Sequence, residues 1–341
     1  MRAAVYRGRG EIAVEDVPEP DHPGEGEVQL RVLKAAVCGT DSSEWDHGPI
    51  LAEPPVILGH EFMGVVESVG KGVSGFEISD RVVSGAGVWC GVCSWCRESR
   101  TNLCESYFTL GLHADGGLAE LVNVPSKTLL HVPDDLTDAA AALAQPQAVA
   151  MHAVNRSGVR PGDSCVVLGI GGIGAFIVAA ARSRGVEDLI AIDIDSERLR
   201  TAERLGASKT VDATKLELET VIREAAAPEG PRVVIEATGV PSAPAAAFRG
   251  VRRGGRVLLV GLHGPQEIDL LSLTVREVVV TTTLAHVFAQ DLAASIDVLR
   301  TTEIVDVVLE KEIPLEDLVE EAIVPLAERR AKGKVVVDLT L

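Results

Sequence analysis

Between about residues 164 and 283 the chain alternates short β-branched runs with stretches in which apolar residues recur at helical spacing. The runs 165–168, 189–193, 210–212, 233–236, 256–260 and 278–282 read as strands. Residues 173–184 and 196–205 read as helices, each followed by a glycine, Gly185 and Gly206, where a helix commonly stops. Strand and helix in alternation predict a parallel, doubly wound sheet. The first 135 residues carry a different pattern: short strands such as 29–32 and 62–69, broken by Gly, Pro and Asp turns, which predict a β-rich, barrel-like domain. After His286 comes a helical pattern at 291–299 and a closing strand at 334–339, expected to rejoin the first domain. At the junction, Thr137 is placed to cap one helix and Pro146 to occupy the first turn of the next, so Gln145 is expected in the break between them.

Length and composition agree with this division. The chain has 341 residues, enough for two domains with their own cores, and is 46% hydrophobic and 24% charged, as globular proteins are. A net charge of -18 without a Lys/Arg-rich stripe excludes an electrostatic grip on nucleic acid. No stretch approaches the ~20 apolar residues that span a bilayer, and no apolar export segment follows the start, so the expected location is the cytoplasm and no membrane partner is expected.

Six cysteines in a reducing compartment point to metal, because four of them, Cys90, Cys93, Cys96 and Cys104, fall within fifteen positions. The spacing C-x2-C-x2-C-x7-C lets four thiolates close a tetrahedron around zinc, leaving no position for substrate: a structural ion. Cys165, at the start of a buried strand, reads as core.

The run Gly169-Ile170-Gly171-Gly172-Ile173-Gly174 stands where a predicted strand turns into a helix, the setting of a dinucleotide-binding turn. Gly169 suits the tight turn, Gly171 the approach of a pyrophosphate, and Gly174 close packing of helix on sheet. Asp193, ending the next strand, is placed to accept from ribose hydroxyls. With Asp195 it would repel a 2'-phosphate, although Arg198 is close by, so NAD is expected over NADP. A third constellation, Cys38-Gly39-Thr40-Asp41 with Gly59-His60-Glu61, puts a thiol, an imidazole and a carboxylate on one domain, a set that suits zinc with an open position. Trp45, His47 and Trp89 fit a substrate pocket and loop packing equally well.

These motifs together resemble the zinc-containing medium-chain dehydrogenase/reductase family, in its polyol, butanediol and threonine dehydrogenase branch. The resemblance rests on CGTD from Cys38, GHEFMGVVESVG from Gly59 to Gly70, DRV from Asp80, the four-cysteine lobe, GIGGIG, and VLLVG ending at Gly261, and it covers nearly the whole chain. It implies an α/β chain in which a GroES-like catalytic domain (1–147, with the zinc lobe at about 86–108) precedes an NAD-binding Rossmann domain (148–285), and residues 286–341 return to the first. It further implies that Cys38, His60 and Glu61 bind a catalytic zinc, that Asp41 holds the His60 ring, that Thr40 takes the substrate proton, and that Val260, Gly261 and Leu262 lie along the nicotinamide. Two zinc ions per chain, NAD, a small alcohol or polyol as substrate, and a homodimer or homotetramer follow from the same likeness. Two positions depart from the family pattern. Gln145 stands where relatives carry a glutamate, which leaves the zinc on Cys38, His60 and Glu61. Ser43 stands where a histidine ends the proton relay. Two other readings are a non-catalytic NAD- and zinc-binding protein with a degraded site, and a zinc-free reductase of the same superfamily.

Overall fold

The computed structural model describes all 341 residues, which divide into two compact units. The first holds Met1–Ala148, Val287–Arg300 and Leu309–Leu341, and the second Val149–His286 with Thr301–Val308. The sequence pattern sent everything after His286 back to the first unit. The structure instead leaves residues 301–308 with the second, because their apolar residues Ile304 and Val308 are buried there.

The first unit opens with strands β1 (Arg2–Gly8), β2 (Glu11–Asp16), β3 (Glu27–Ala36), β4 (Val56–Ile57), β5 (Glu61–Val69), β6 (Arg81–Ser84), β7 (Gly87–Val88), β8 (Phe108–Thr109), β9 (Leu121–Pro125) and β10 (Leu129–His131). The second carries β11 (Cys165–Leu168), β12 (Leu189–Asp193), β13 (Lys209–Asp212), β14 (Val233–Glu236), β15 (Arg256–Leu259) and β16 (Val279–Thr282). The tail adds β17 (Leu309–Pro314) and β18 (Lys334–Asp338) to the first unit.

In the first unit β3 is the pivot. It pairs antiparallel with β5, with β9 and with β18, inside a sheet ordered β10-β6-β5-β3-β18-β17. Its inward residues Val28, Leu30 and Val32 join Phe62, Leu58, Leu118 and Val337 in one apolar core. Alternation along β3 puts Arg31 in solvent while its neighbours Leu30 and Val32 are buried, the period expected of a sheet with one wet face. In the second unit the six strands run parallel in the order β13-β12-β11-β14-β15-β16. That order reverses direction between β11 and β14, and such a switch point is where open α/β sheets bind ligands, beyond the carboxyl ends of the strands. No helix is long and apolar enough to cross a membrane.

The helix Gly174–Ser183 lies so close to the turn before it that a Cβ at Gly174 would collide with the Gly169 carbonyl oxygen. A Cβ at Gly172 meets nothing within 4 Å. Gly174→Ala is therefore expected to cost about 1–3 kcal/mol, whereas Gly172→Ala stays within ~0.5 kcal/mol of wild type. Urea unfolding of both variants checks this, and equal stabilities would contradict the close packing.

Candidate active site

Two clusters of metal-binding side chains form in the first unit. In one, the Sγ atoms of Cys90, Cys93, Cys96 and Cys104 all lie within 4.8 Å of one another. The separations of 3.6 Å for Cys93–Cys96 and 4.0 Å for Cys90–Cys96 bracket the ~3.8 Å edge of a tetrahedron with 2.3 Å zinc–sulfur bonds. All four are free thiols. Backbone N–H groups point at the sulfurs: Cys90 N donates to Cys104 Sγ at 3.2 Å, and Val92 N and Cys93 N donate to Cys90 Sγ at 3.4 and 3.3 Å. Those last two donors draw the Cys90 thiol down to about 6, while desolvation pushes Cys96 up to about 12. A divalent cation resolves this conflict by holding all four as thiolates, so the lobe fits a structural zinc.

In the second cluster His60 and Glu61 are buried and Cys38 is half-buried. Cys38 follows β3 and precedes the helix Gly39–His47, while His60 and Glu61 stand at the start of β5, and their ligand atoms also lie within 4.8 Å of one another. Asp41 is buried in the first turn of that helix, with Oδ2 accepting from Cys38 N at 2.9 Å and Oδ1 3.6 Å from His60 Nδ1. Neither Asp41 Oδ1 nor His60 Nδ1 has a hydrogen-bond partner. The ring thus turns Nδ1 to Asp41 and presents its other edge to Cys38. Burial by itself lowers the His60 pKa, but the negative field of Asp41, Cys38 and Glu61 outweighs it and holds the ring up to about 10. Its thiol, imidazole and carboxylate donors, all within 4.8 Å of one another, fit zinc.

Lys334, to which sequence reasoning gave no role, completes this cluster. Its ammonium is buried, donates to Val37 O at 3.2 Å and pairs with Glu61 Oε2. Burial pushes the Lys334 pKa down, and Glu61 and Cys38 more than restore it, so the group stays charged. Its only sequence signal is a lysine standing before three consecutive valines.

The remaining expected positions divide. Thr40 Oγ1 lies 3.6 Å from Cys38 Sγ. Ser43 is exposed, and its hydroxyl donates to Gly39 O at 2.9 Å, so it bonds back onto its own helix. The break at the junction falls at Leu143: the first helix, Asp138–Ala142, is capped by Thr137, and Gln145 sits buried in the first turn of the next, Ala144–Ser157. Trp45 packs on the core, His47 is exposed, and Trp89 lies against Phe288 and under Lys127. Cys165 is fully buried.

In the second unit Gly169 has φ +87°, and Ile170 N in the turn donates to Asp193 Oδ2 at 2.6 Å. Asp193 Oδ1 accepts from Ile194 N and Asp195 N, so this acid shapes the turn. The turn is open at Gly171 and Gly172: the nearest atom to a Cβ at Gly171 is Arg198 Nη1, 3.9 Å away, which leaves room for a pyrophosphate. Ile173 precedes the first residue of the following helix. Across the switch point, buried Glu236 accepts from Thr238 N at 2.7 Å and Thr238 Oγ1 at 2.5 Å, and its Oε2 lies 2.6 Å from His263 Nε2. Val260 N and Gly261 N both donate to Glu236 O, whereas Leu262 is exposed. Glu236 and His263 were not anticipated, because one ends β14 and the other lies in the loop after β15, 27 residues apart.

Comparison with known proteins bears on both units. Residues 24–134 match the alcohol dehydrogenase GroES-like domain and residues 172–301 the zinc-binding dehydrogenase domain. A sorbitol dehydrogenase of Bacillus subtilis (strain 168) is 34% identical over 274 residues, 79% of this chain and 77% of its own. An L-threonine 3-dehydrogenase of Idiomarina loihiensis is 33% identical over 262 residues, 76% of each chain. The crystal structure of 2R,3R-butanediol dehydrogenase from Bacillus subtilis superposes with a TM-score of 0.89 over 99% of both chains, at 30% identity.

The cysteine lobe generates its own test. Cys93→Ser is expected to lower zinc by one ion per chain and to reduce Tm by several degrees, read by elemental analysis and scanning calorimetry. Unchanged zinc content would contradict the four-thiolate site.

Proposed function

The chain belongs to the zinc-containing medium-chain dehydrogenase/reductase family, and from that premise we propose that it oxidises a secondary alcohol, of a simple alcohol or a polyol, to the ketone with NAD, at a zinc held by Cys38, His60 and Glu61. It is an oxidoreductase acting on CH–OH groups of small molecules, with a nicotinamide coenzyme and zinc as cofactors. The observation that carries the assignment of the site is the converging triad of donors, with buried Asp41 behind His60.

When bound, zinc supplies a Lewis acid that lowers the pKa of an alcohol, and the nicotinamide accepts a hydride at C4. The chain's own residues do the rest. Asp41 orients the imidazole through Nδ1 and sets its basicity as a ligand. Thr40 Oγ1, beside Cys38, is the hydroxyl placed to receive the proton leaving the substrate. Ser43, bonded to Gly39 O, does not extend that relay, so water carries the proton onward. Gln145 is neutral and leaves Glu61 as the carboxylate in the donor set. Asp193 and Asp195 disfavour a 2'-phosphate, which supports NAD over NADP.

The exposed edge of the second unit supports self-association. β16 is an edge strand with Val279 and Val280 in solvent, and Leu270, Leu271 and Val275 are exposed in the helix Leu270–Val275 just before it. An edge with unpaired backbone and apolar side chains is a template for a second copy.

Two expectations follow. His60→Ala is expected to lower turnover of secondary alcohols and polyols by at least ~10³-fold while NADH binds within ~3-fold of wild type, measured by NADH formation and by fluorescence titration; full turnover would refute the site. By light scattering the chain is expected at twice its 35.9 kDa mass or more, and Val279→Lys is expected to shift it towards the monomer. A wild-type monomer would contradict the edge.

A further inference from the structure

Lys334 opens β18, Glu61 opens β5, and β3 lies between them, with Ala36 in register with both Glu61 and Val336. This arrangement carries a lysine into the only carboxylate of the donor triad across 273 positions of sequence. Both side chains are almost entirely enclosed, at 8% and 2% exposure. A buried ion pair recovers little stability, because the cost of removing two charges from water rivals their attraction, and an apolar pair of equal volume often does as well. Lys334 also bonds to the carbonyl of Val37, the residue before Cys38, so it touches both ligand-bearing segments.

The charges around the cluster give this contact a purpose. With a metal on a neutral His60 ring, the Cys38 thiolate and the Asp41 and Glu61 carboxylates bring three formal negative charges, and the Lys334 ammonium lies against one of them. Two negative charges remain, the amount one divalent cation neutralises. Without Lys334 the excess would be three, and Glu61 would have both oxygens to offer.

We propose that Lys334 is a positioning residue for Glu61: by holding Oε2 and balancing its charge, it keeps Glu61 a one-oxygen ligand and leaves a coordination position open for substrate. This rests on the reading of Cys38, His60 and Glu61 as the catalytic metal site. Lys334 then acts through Glu61, which separates it from a general packing role.

The test is a double-mutant cycle in the full-length chain, comparing wild type, Lys334→Met, Glu61→Gln and the double variant by competition for the weaker zinc with a chromophoric chelator. The same four proteins are loaded with cobalt to record the ligand-field spectrum. Lys334→Met is expected to tighten the weaker site at least tenfold and to shift the cobalt bands, and Lys334→Arg to stay within threefold of wild type. In the Glu61→Gln background, Lys334→Met is expected to change affinity less than twofold and to leave the bands in place. An equal change in both backgrounds, or none in either, overturns the proposal. Should Lys334→Met not fold, Lys334→Gln, which keeps a donor to Glu61 and drops the charge, carries the same comparison. A wild-type protein holding a single zinc refutes the site itself, an outcome distinct from any behaviour of Lys334.

Discussion

The antiparallel pairing of β3 with β5 and β18 is the constraint on which the site depends. That register brings the end of β3, leading into Cys38, beside the start of β5, which carries His60 and Glu61, and beside the start of β18, which carries Lys334. Strand side chains alternate between faces, so a slip of one residue in either pairing would turn Glu61 or Lys334 out of the cluster. The apolar core under β3 opposes such a slip, because it would also move Leu30 and Val32 into water. Packing and chemistry are therefore secured by one pattern: the residues that make β3 a core strand also hold the donor triad at its end.

Electrostatics then determine what that geometry can hold. The triad and Asp41 form a negative pocket inside a chain that is itself strongly acidic, and Lys334 moderates it. The surrounding net charge matters less than these few groups, because charges buried together interact through a low dielectric and those at the surface are screened. The second unit solves a different problem, holding an anion on an acidic protein. It does so with backbone: Asp193 braces the turn through Ile170 N, leaving Gly171 and Gly172 open at the start of a helix whose N-terminus favours negative charge. Glu236, bonded to Thr238 and His263, ties the end of β14 to the loop that follows β15, on one side of the switch point.

Much of this was legible in the sequence where the signal is local. The parallel strands were placed to within a residue because each is a short apolar, β-branched run set between helical patterns, and the cysteine lobe because metal geometry imposes its spacing. Interactions between distant segments were not legible. Lys334 reads as the start of a strand, and only the pairing through β3 shows that it meets Glu61. Glu236 and His263 are likewise joined by sheet order and not by spacing. Smaller misses have local causes: the helix break lies at Leu143, two residues before Gln145, because Pro146 is tolerated within the first turn without starting it. The Ser43 hydroxyl bonds the carbonyl four residues back, a contact open to any helical serine and not visible in the motif.

Two chemically distinct metal sites are expected in one chain, four thiolates in one and a single thiolate with imidazole and carboxylate in the other. X-ray absorption at the zinc edge of the fully loaded protein tests this most directly, since the scattering shell averages over both ions. The account predicts two zinc ions per chain and a mean of about 2.5 sulfur atoms per zinc at ~2.3 Å, with nitrogen or oxygen scatterers at ~2.0–2.1 Å. A shell of four sulfurs alone, with one zinc per chain, would contradict it.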